Sequence, residues 1–150
     1  SLGLVGSEMC IRDRHRRMFC TRARKSDKAG HARHTAHLLI GLCASAGTMH
    51  FVRPEPFDSI IPPEIPGEPR AWTYGSGVAE LVTAGLLACP ATRRLGGRAA
   101  AALFVAVFPG NLEMARQWRD REPKWQVLSL GRLPLQAVLV HQARDVAQNC

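Results

Sequence analysis

Four apolar runs alternate with polar connectors along this chain, and their lengths set the first expectation. Leu38 to Val52 has no charged side chain if His50 is neutral, and Ala71 to Cys89 holds a single carboxylate, Glu80. Leu95 to Ala115 carries Arg98 and Glu113 near its ends, and Val127 to Val140 carries Arg132, Pro134 and Gln136. A helix of about twenty residues is about 30 Å long, the thickness of a bilayer core. With a short turn at Pro90 to Arg94 and a charged loop at Arg116 to Lys124, the pattern predicts an all-α chain. The expected architecture is a four-helix up-down transmembrane bundle with a proline-rich loop between helices 1 and 2. A soluble all-α bundle is the rival, because the shorter runs would also serve as buried core helices. Against it, Ala99 to Leu112 shows no charged residue on any face.

The loop between the first two runs is the most distinctive stretch. Pro54, Pro56, Pro62, Pro63, Pro66 and Pro69 crowd into it, and each fixes φ and removes an amide donor. A long helix or a central strand is excluded there. Only Phe57 to Ile61 is free to make a short turn, and its apolar Phe57, Ile60 and Ile61 suit a segment lying on a membrane surface, with a solvated loop as the plainer alternative.

Glu80 sits midway along a stretch that has no other charge. A carboxylate near the bilayer midplane costs ~3 kcal/mol or more, so it is expected to face the protein and find a partner, or to stay protonated. Ser76, Glu80, Ala84 and Ala88 share one helical stripe, which places Glu80 toward a neighbouring helix. In the first helix Cys43, Gly47 and His50 fall on one side, so Gly47 would admit a partner beside His50, itself an interfacial anchor or hydrogen-bonder. Arg98, Ala102, Ala106 and Gly110 form a further small-residue stripe in the third. Pro109 and Gly110 should kink that helix and free carbonyls for a side chain such as Asn111. Arg132 is expected to snorkel or to reach toward Glu80.

Charge changes the picture at one end only. Of the net +8, the segment His15 to His34 supplies +6, so the high pI belongs to a tail. That segment has Phe19 as its aromatic residue, too little for a stacking surface, and no nucleic-acid partner is expected. A cytoplasmic juxtamembrane tail accounts for it. From residue 15 on, eleven Lys and Arg fall on one side of the expected bundle and six on the other, which places both termini in the cytoplasm. Leu4 to Asp13, LVGSEMCIRD, resembles translated sequencing adapter, and residues 1–14 are set aside. The expected organisation is therefore a basic N-terminal tail at 15–37 and a membrane domain at 38–147. His31, His34 and His37 lack Cys or carboxylate partners and make a weak ligand set, so no metal is expected. The cysteines show no metal or disulfide spacing, and no phosphate loop, CxxC, HExxH or GxSxG is present. No catalytic residue is indicated.

The run HFVRPEPFDSIIPPEIPGEPRAWTYGSGVAEL, followed by RRLGG, AALFVAVFPGN and GRLPLQ, resembles the DoxX-like branch of the DoxX family of small four-helix bacterial membrane proteins. The resemblance covers Leu38 to Val140 and implies a multi-pass protein of the inner membrane. Some relatives are associated with quinone-linked sulfur oxidation or membrane redox complexes, so the resemblance makes a quinone the cofactor to consider and other membrane redox subunits the partners, beside the lipid bilayer. Carried over by motif, His50, Glu80, Asn111, Arg132 and Gln136 are the polar positions expected to line the bundle interior. Two functions follow: a redox-associated subunit in which these residues meet a quinone head group, or a non-catalytic scaffold in which they clamp helices together.

Overall fold

The computed structural model describes residues 27–150 in full and residues 4–26 only as part of one helix. The adapter-like residues 1–14 and the basic side chains from His15 to Ser26 therefore lie outside the described residues. Six helices follow in order: α1 (Leu4–Val52), α2 (Glu55–Asp58), α3 (Pro69–Ala88), α4 (Arg93–Ala106), α5 (Phe108–Gln117) and α6 (Pro123–Asn149). Among the described residues there is no strand, as the apolar patterning predicts. The chain forms two compact units, Ser1–His31 and Ala32–Cys150, and the second holds everything that follows.

That second unit starts six residues before the expected Leu38, because the inward stripe of α1 begins earlier than its apolar run. Ala32, Thr35, Ala36, Leu39, Cys43, Gly47 and His50 are all buried, at successive three- and four-residue steps. Small Ala and Thr side chains extend the stripe into a stretch whose composition reads as tail.

Proline opens helices here rather than merely ending them. Pro54 is the N-cap of α2, and Pro69, Pro109 and Pro123 stand in the first positions of α3, α5 and α6, where a missing amide donor costs nothing. Pro109 does not kink one long third helix but starts a new one, with Val107 closing α4 and opening α5. Counted together, residues 93–117 are still long and apolar enough to cross a membrane, as is Asp27–Val52. The runs in α3 and α6, expected to match them, do not reach the same hydropathy, because Thr73, Ser76, Glu80, Ser129, Arg132 and Gln136 interrupt them.

Three crossings without side-chain bulk hold the helices together. At the α1–α3 crossing a Cβ on Gly47 would lie 2.9 Å from Leu81 Cγ, and one on Gly77 would lie 2.8 Å from His50 Cβ. Gly96 of α4 rests on the backbone of Leu86 and Leu87, and Gly97 on the α6 backbone at Ala143 and Ala147. These contacts let main chains approach as closely as in small-residue helix pairs. The turn between α3 and α4 needs only four residues because α4 caps α3: Arg93 Nε donates to the Leu87 carbonyl at 2.9 Å, and Thr92 Oγ1 to that of Leu86 at 2.9 Å. Around these crossings Ala36, Leu39, Cys43, Ala84, Leu87, Ala100, Phe104, Ala143 and Val146 form one buried cluster. The stripe Ala102, Ala106 and Arg98, expected to receive a helix, is exposed instead; the close contacts fall one step back, on Gly96, Gly97 and Ala100.

Gly97→Ala should therefore destabilise the protein by about 1–3 kcal/mol through overpacking. Gly85→Ala, in an open helical position, should be neutral or stabilising by up to about 1 kcal/mol. Thermal unfolding of the two purified variants checks the contrast.

Candidate functional site

The packed cluster occupies one half of the unit, and the half nearer the proline-rich connector is hollow. A cavity of about 310 Å³ lies there, walled by α1, α3, α4, α5 and α6 and roofed by the connector. His50, Glu80, Asn111, Arg132 and Gln136, drawn from four well-separated stretches of sequence, all line it. The rest of the wall is mainly apolar, including Leu42, Phe104, Val107, Leu135 and Leu139.

His50 reaches the cavity because Gly47, one turn earlier, lets α1 settle against α3. Its Nδ1 lies 2.8 Å from the Ala46 carbonyl oxygen. A carbonyl only accepts, so Nδ1 carries a proton and donates it there, leaving Nε2 as the second ring nitrogen. Phe57 stacks on the imidazole with ring centroids 3.8 Å apart. Glu80, facing α1 across the crossing, brings Oε2 to 3.4 Å from His50 Nδ1. Because the Nδ1 proton is directed at Ala46, Glu80 Oε2 is left buried without a hydrogen-bond partner. Native proteins leave few such atoms, and each requires an explanation.

On the opposite wall, beside the break between α4 and α5, the Phe104 carbonyl near the end of α4 is open to a side-chain donor. Gln136 Nε2 donates to the Phe104 carbonyl, and Asn111 Nδ2 donates to Gln136 Oε1 at 2.6 Å. Asn111 was expected to satisfy the freed carbonyl itself; Gln136 does so, with Asn111 one step behind, because Gln136 lies on α6 directly across from Phe104. Arg132 borders the cavity from α6, where it stays exposed, and its Nη1 lies 3.8 Å from Met114 Sδ. Among the described residues no group of three or more His, Cys, Asp or Glu side chains is placed to hold a metal.

The connector differs most from expectation. Phe57, Ile60, Ile61 and Ile65 turn into the cavity rather than outward along a surface. Their spacing, apolar at i, i+3 and i+4, was the available signal for a one-sided segment; which side it faced required the latch that holds it. Asp58 accepts from Arg70 Nε at 2.7 Å and from Thr73 Oγ1 at 2.6 Å, pinning the roof to the first turns of α3. Trp72 Nε1 donates to the Pro66 carbonyl at 2.9 Å around Gly67, whose φ of +103° excludes most side chains. Gln117 Nε2 fastens the other edge through the Ser59 carbonyl at 2.8 Å.

Burial raises the affinity of the Asp58 carboxyl for a proton, but the hydrogen bonds from Thr73 and Arg70 and the guanidinium charge outweigh it and hold the group below its ordinary value. A depressed carboxyl stabilises above the ordinary value of 3.8 and loses that contribution as pH falls through its lower folded value. Protection of the amides in residues 54–73 against hydrogen exchange, relative to their intrinsic rates, should thus hold from neutral pH down to about 4 and fall below it. Asp58→Asn should quicken exchange already at neutral pH and abolish the acid step.

No curated protein and no solved structure shows a significant match to this chain. A family model does match, over residues 39–147, and covers the cavity-forming helices and their connector. It is described as a domain of unknown function, DUF8561. On a match spanning most of its length, the chain belongs to the DUF8561 family.

Proposed function

We propose that this protein is a DoxX-like integral membrane protein of the bacterial inner membrane, a four-helix bundle with both termini in the cytoplasm. In this reading its hollow half receives a quinone-type head group as part of a membrane redox system. The observation that carries the proposal is an inverted distribution of side-chain size. Five of the eleven buried apolar residues among the described ones are alanines, whereas Leu38, Val52, Val78, Val82, Val105, Leu130 and Val138 lie exposed, Val127 to 73%. A water-soluble bundle would place such side chains inside, and a contiguous apolar exterior marks a membrane or partner surface.

The polar residues that lower the hydropathy of α3 and α6 fit the same reading. Thr73, Ser129 and Gln136 are buried and Ser76 and Glu80 line the cavity, while the outer faces show Val78, Leu81 and Val82, and Leu128 and Leu130. Trp72, Tyr74, Trp118 and Trp125 gather at the connector end, as at a membrane interface. Arg93, Arg94, Arg98 and Arg144 gather at the opposite end, the side assigned to the cytoplasm. Largely apolar walls with a few converging polar groups are what small-ligand sites share.

The scaffold reading has its own support. The Asn111–Gln136–Phe104 chain joins α4, α5 and α6, and the His50–Glu80 contact joins α1 and α3. A clamp alone, however, would satisfy its own members, and Glu80 Oε2 has no hydrogen-bond partner. Carbonate washing of membranes containing the protein should leave it in the pellet; release would end the membrane reading. A short-chain ubiquinone analogue should bind the purified protein and raise its melting temperature, and Ser76→Phe, which fills the cavity, should abolish the shift. If the residues serve only as a clamp, no analogue will shift the melting temperature, and Glu80→Gln will cost ~0.6–2 kcal/mol.

A further inference from the structure

A second hollow lies between α4 and α6, toward the end away from the connector. The two helices run antiparallel: Gly97 rests on the α6 backbone at Ala143 and Ala147, and seven residues further along α4 the Phe104 carbonyl meets Gln136. That pairing brings Arg98 and Arg144 to the same level. Both line a groove of about 700 Å³, with Gln148 beside them, and Ala102, Val105 and Val140 continue its wall toward the middle of the unit.

Among the described residues neither guanidinium has an ion-pair or hydrogen-bond partner. Asp145, next to Arg144 in sequence, accepts from Asn149 Nδ2 at 2.8 Å instead. Two donor-only cations at one level of a groove repel each other and lack acceptors, so an anion between them satisfies both. From Arg98 to Val105 the groove then runs on for about 10 Å past side chains without a polar atom. The occupant is thus an anion joined to an apolar chain. In the membrane orientation proposed above, this end meets the cytoplasmic leaflet, where the phosphates of anionic lipids lie over their acyl chains in the same order. A second copy of the chain fits less well. Two copies in one membrane share an orientation, so groove against groove would bring four guanidinia to one level.

We infer that the groove between α4 and α6 holds an anionic phospholipid, its phosphate between Arg98 and Arg144 and an acyl chain along Ala102, Val105 and Val140. A zwitterionic lipid offers the same phosphate but adds an ammonium beside the two arginines, and is held less well. The site rests on the membrane reading above and does not depend on what the cavity under the connector binds.

Native mass spectrometry of the purified full chain, released from a neutral detergent, tests the site with dioleoyl phosphatidylglycerol and dioleoyl phosphatidylcholine as paired probes. Phosphatidylglycerol should bind at least about tenfold more tightly, the scale expected of two arginines near an anionic head group. Arg98→Gln combined with Arg144→Gln should remove that preference. Arg53→Gln combined with Arg119→Gln, the same loss of charge at the connector end, should keep it. Ala102→Phe, which fills the groove, should weaken phosphatidylglycerol binding with no change of charge. Equal binding of the two lipids, or a preference that survives the Arg98 and Arg144 substitutions, in a protein that carbonate washing leaves in the membrane, would overturn the lipid site alone. Displacement of the lipid by an equal concentration of glycerol 3-phosphate would reassign the arginines to free phosphate and overturn it too. So would a dimer that Ala102→Phe takes apart. Release by carbonate would overturn the membrane reading and the lipid site with it. If the double arginine variant does not fold, the wild-type preference and Ala102→Phe decide.

Discussion

At the crossing of α1 and α3 there is no room for a side chain between the two backbones, and the rest of the unit depends on that fact. Gly47 faces the Gly77 carbonyl, and Gly77 faces His50 and Phe51. Close approach there brings His50 within 3.4 Å of Glu80, two residues that are thirty positions apart in sequence. A Cβ at either glycine would push the helices apart and separate the pair. Gly96 and Gly97 repeat the device, one toward α3 and the other toward α6, so that α4 is held from both sides at the same level. Small residues at contacts serve helix pairs for which lipid offers no hydrophobic drive to associate, since backbone proximity then supplies the van der Waals contact.

The same economy leaves the other half hollow. No large side chain from α1, α3, α5 or α6 fills the space beneath the connector; the connector contributes Phe57, Ile60, Ile61 and Ile65 as a roof. Its prolines remove backbone donors that would otherwise need partners, while the Asp58, Trp72 and Gln117 contacts fix it to α3 and α5. A roof held by polar contacts at its rim is more readily opened than a packed helix, because those contacts exchange with water at small net cost.

Polar groups inside the unit are of two kinds. Asn111 and Gln136 are consumed in repairing the break between α4 and α5, and they serve structure. Glu80 and His50 are not fully consumed, since Oε2 has no hydrogen-bond partner and the imidazole commits only Nδ1. That difference, invisible in a list of polar residues, separates a wall whose polar side chains are paired from a corner where one buried oxygen lacks a hydrogen bond.

Much of the architecture was legible in sequence because helix, turn and proline chemistry are local. Apolar run lengths marked the helices, the proline cluster marked the connector, and the isolated Glu80 and the Gly47 step marked where α1 and α3 face each other. The five polar positions named from sequence motifs share one cavity, although their spacing could not give its shape. Tertiary structure alone decided the rest. Whether Gly97 or the Ala102 stripe receives a helix depends on the rotation of α4, which two equally small faces leave undetermined by pattern. Whether Phe57 and Ile60 face inward depends on Asp58 meeting Arg70 and Thr73, a contact between segments that no periodicity connects. Gln136 reached the freed carbonyl before Asn111 could because hydrogen-bond partners are set by distance in space, and the sequence records only distance along the chain.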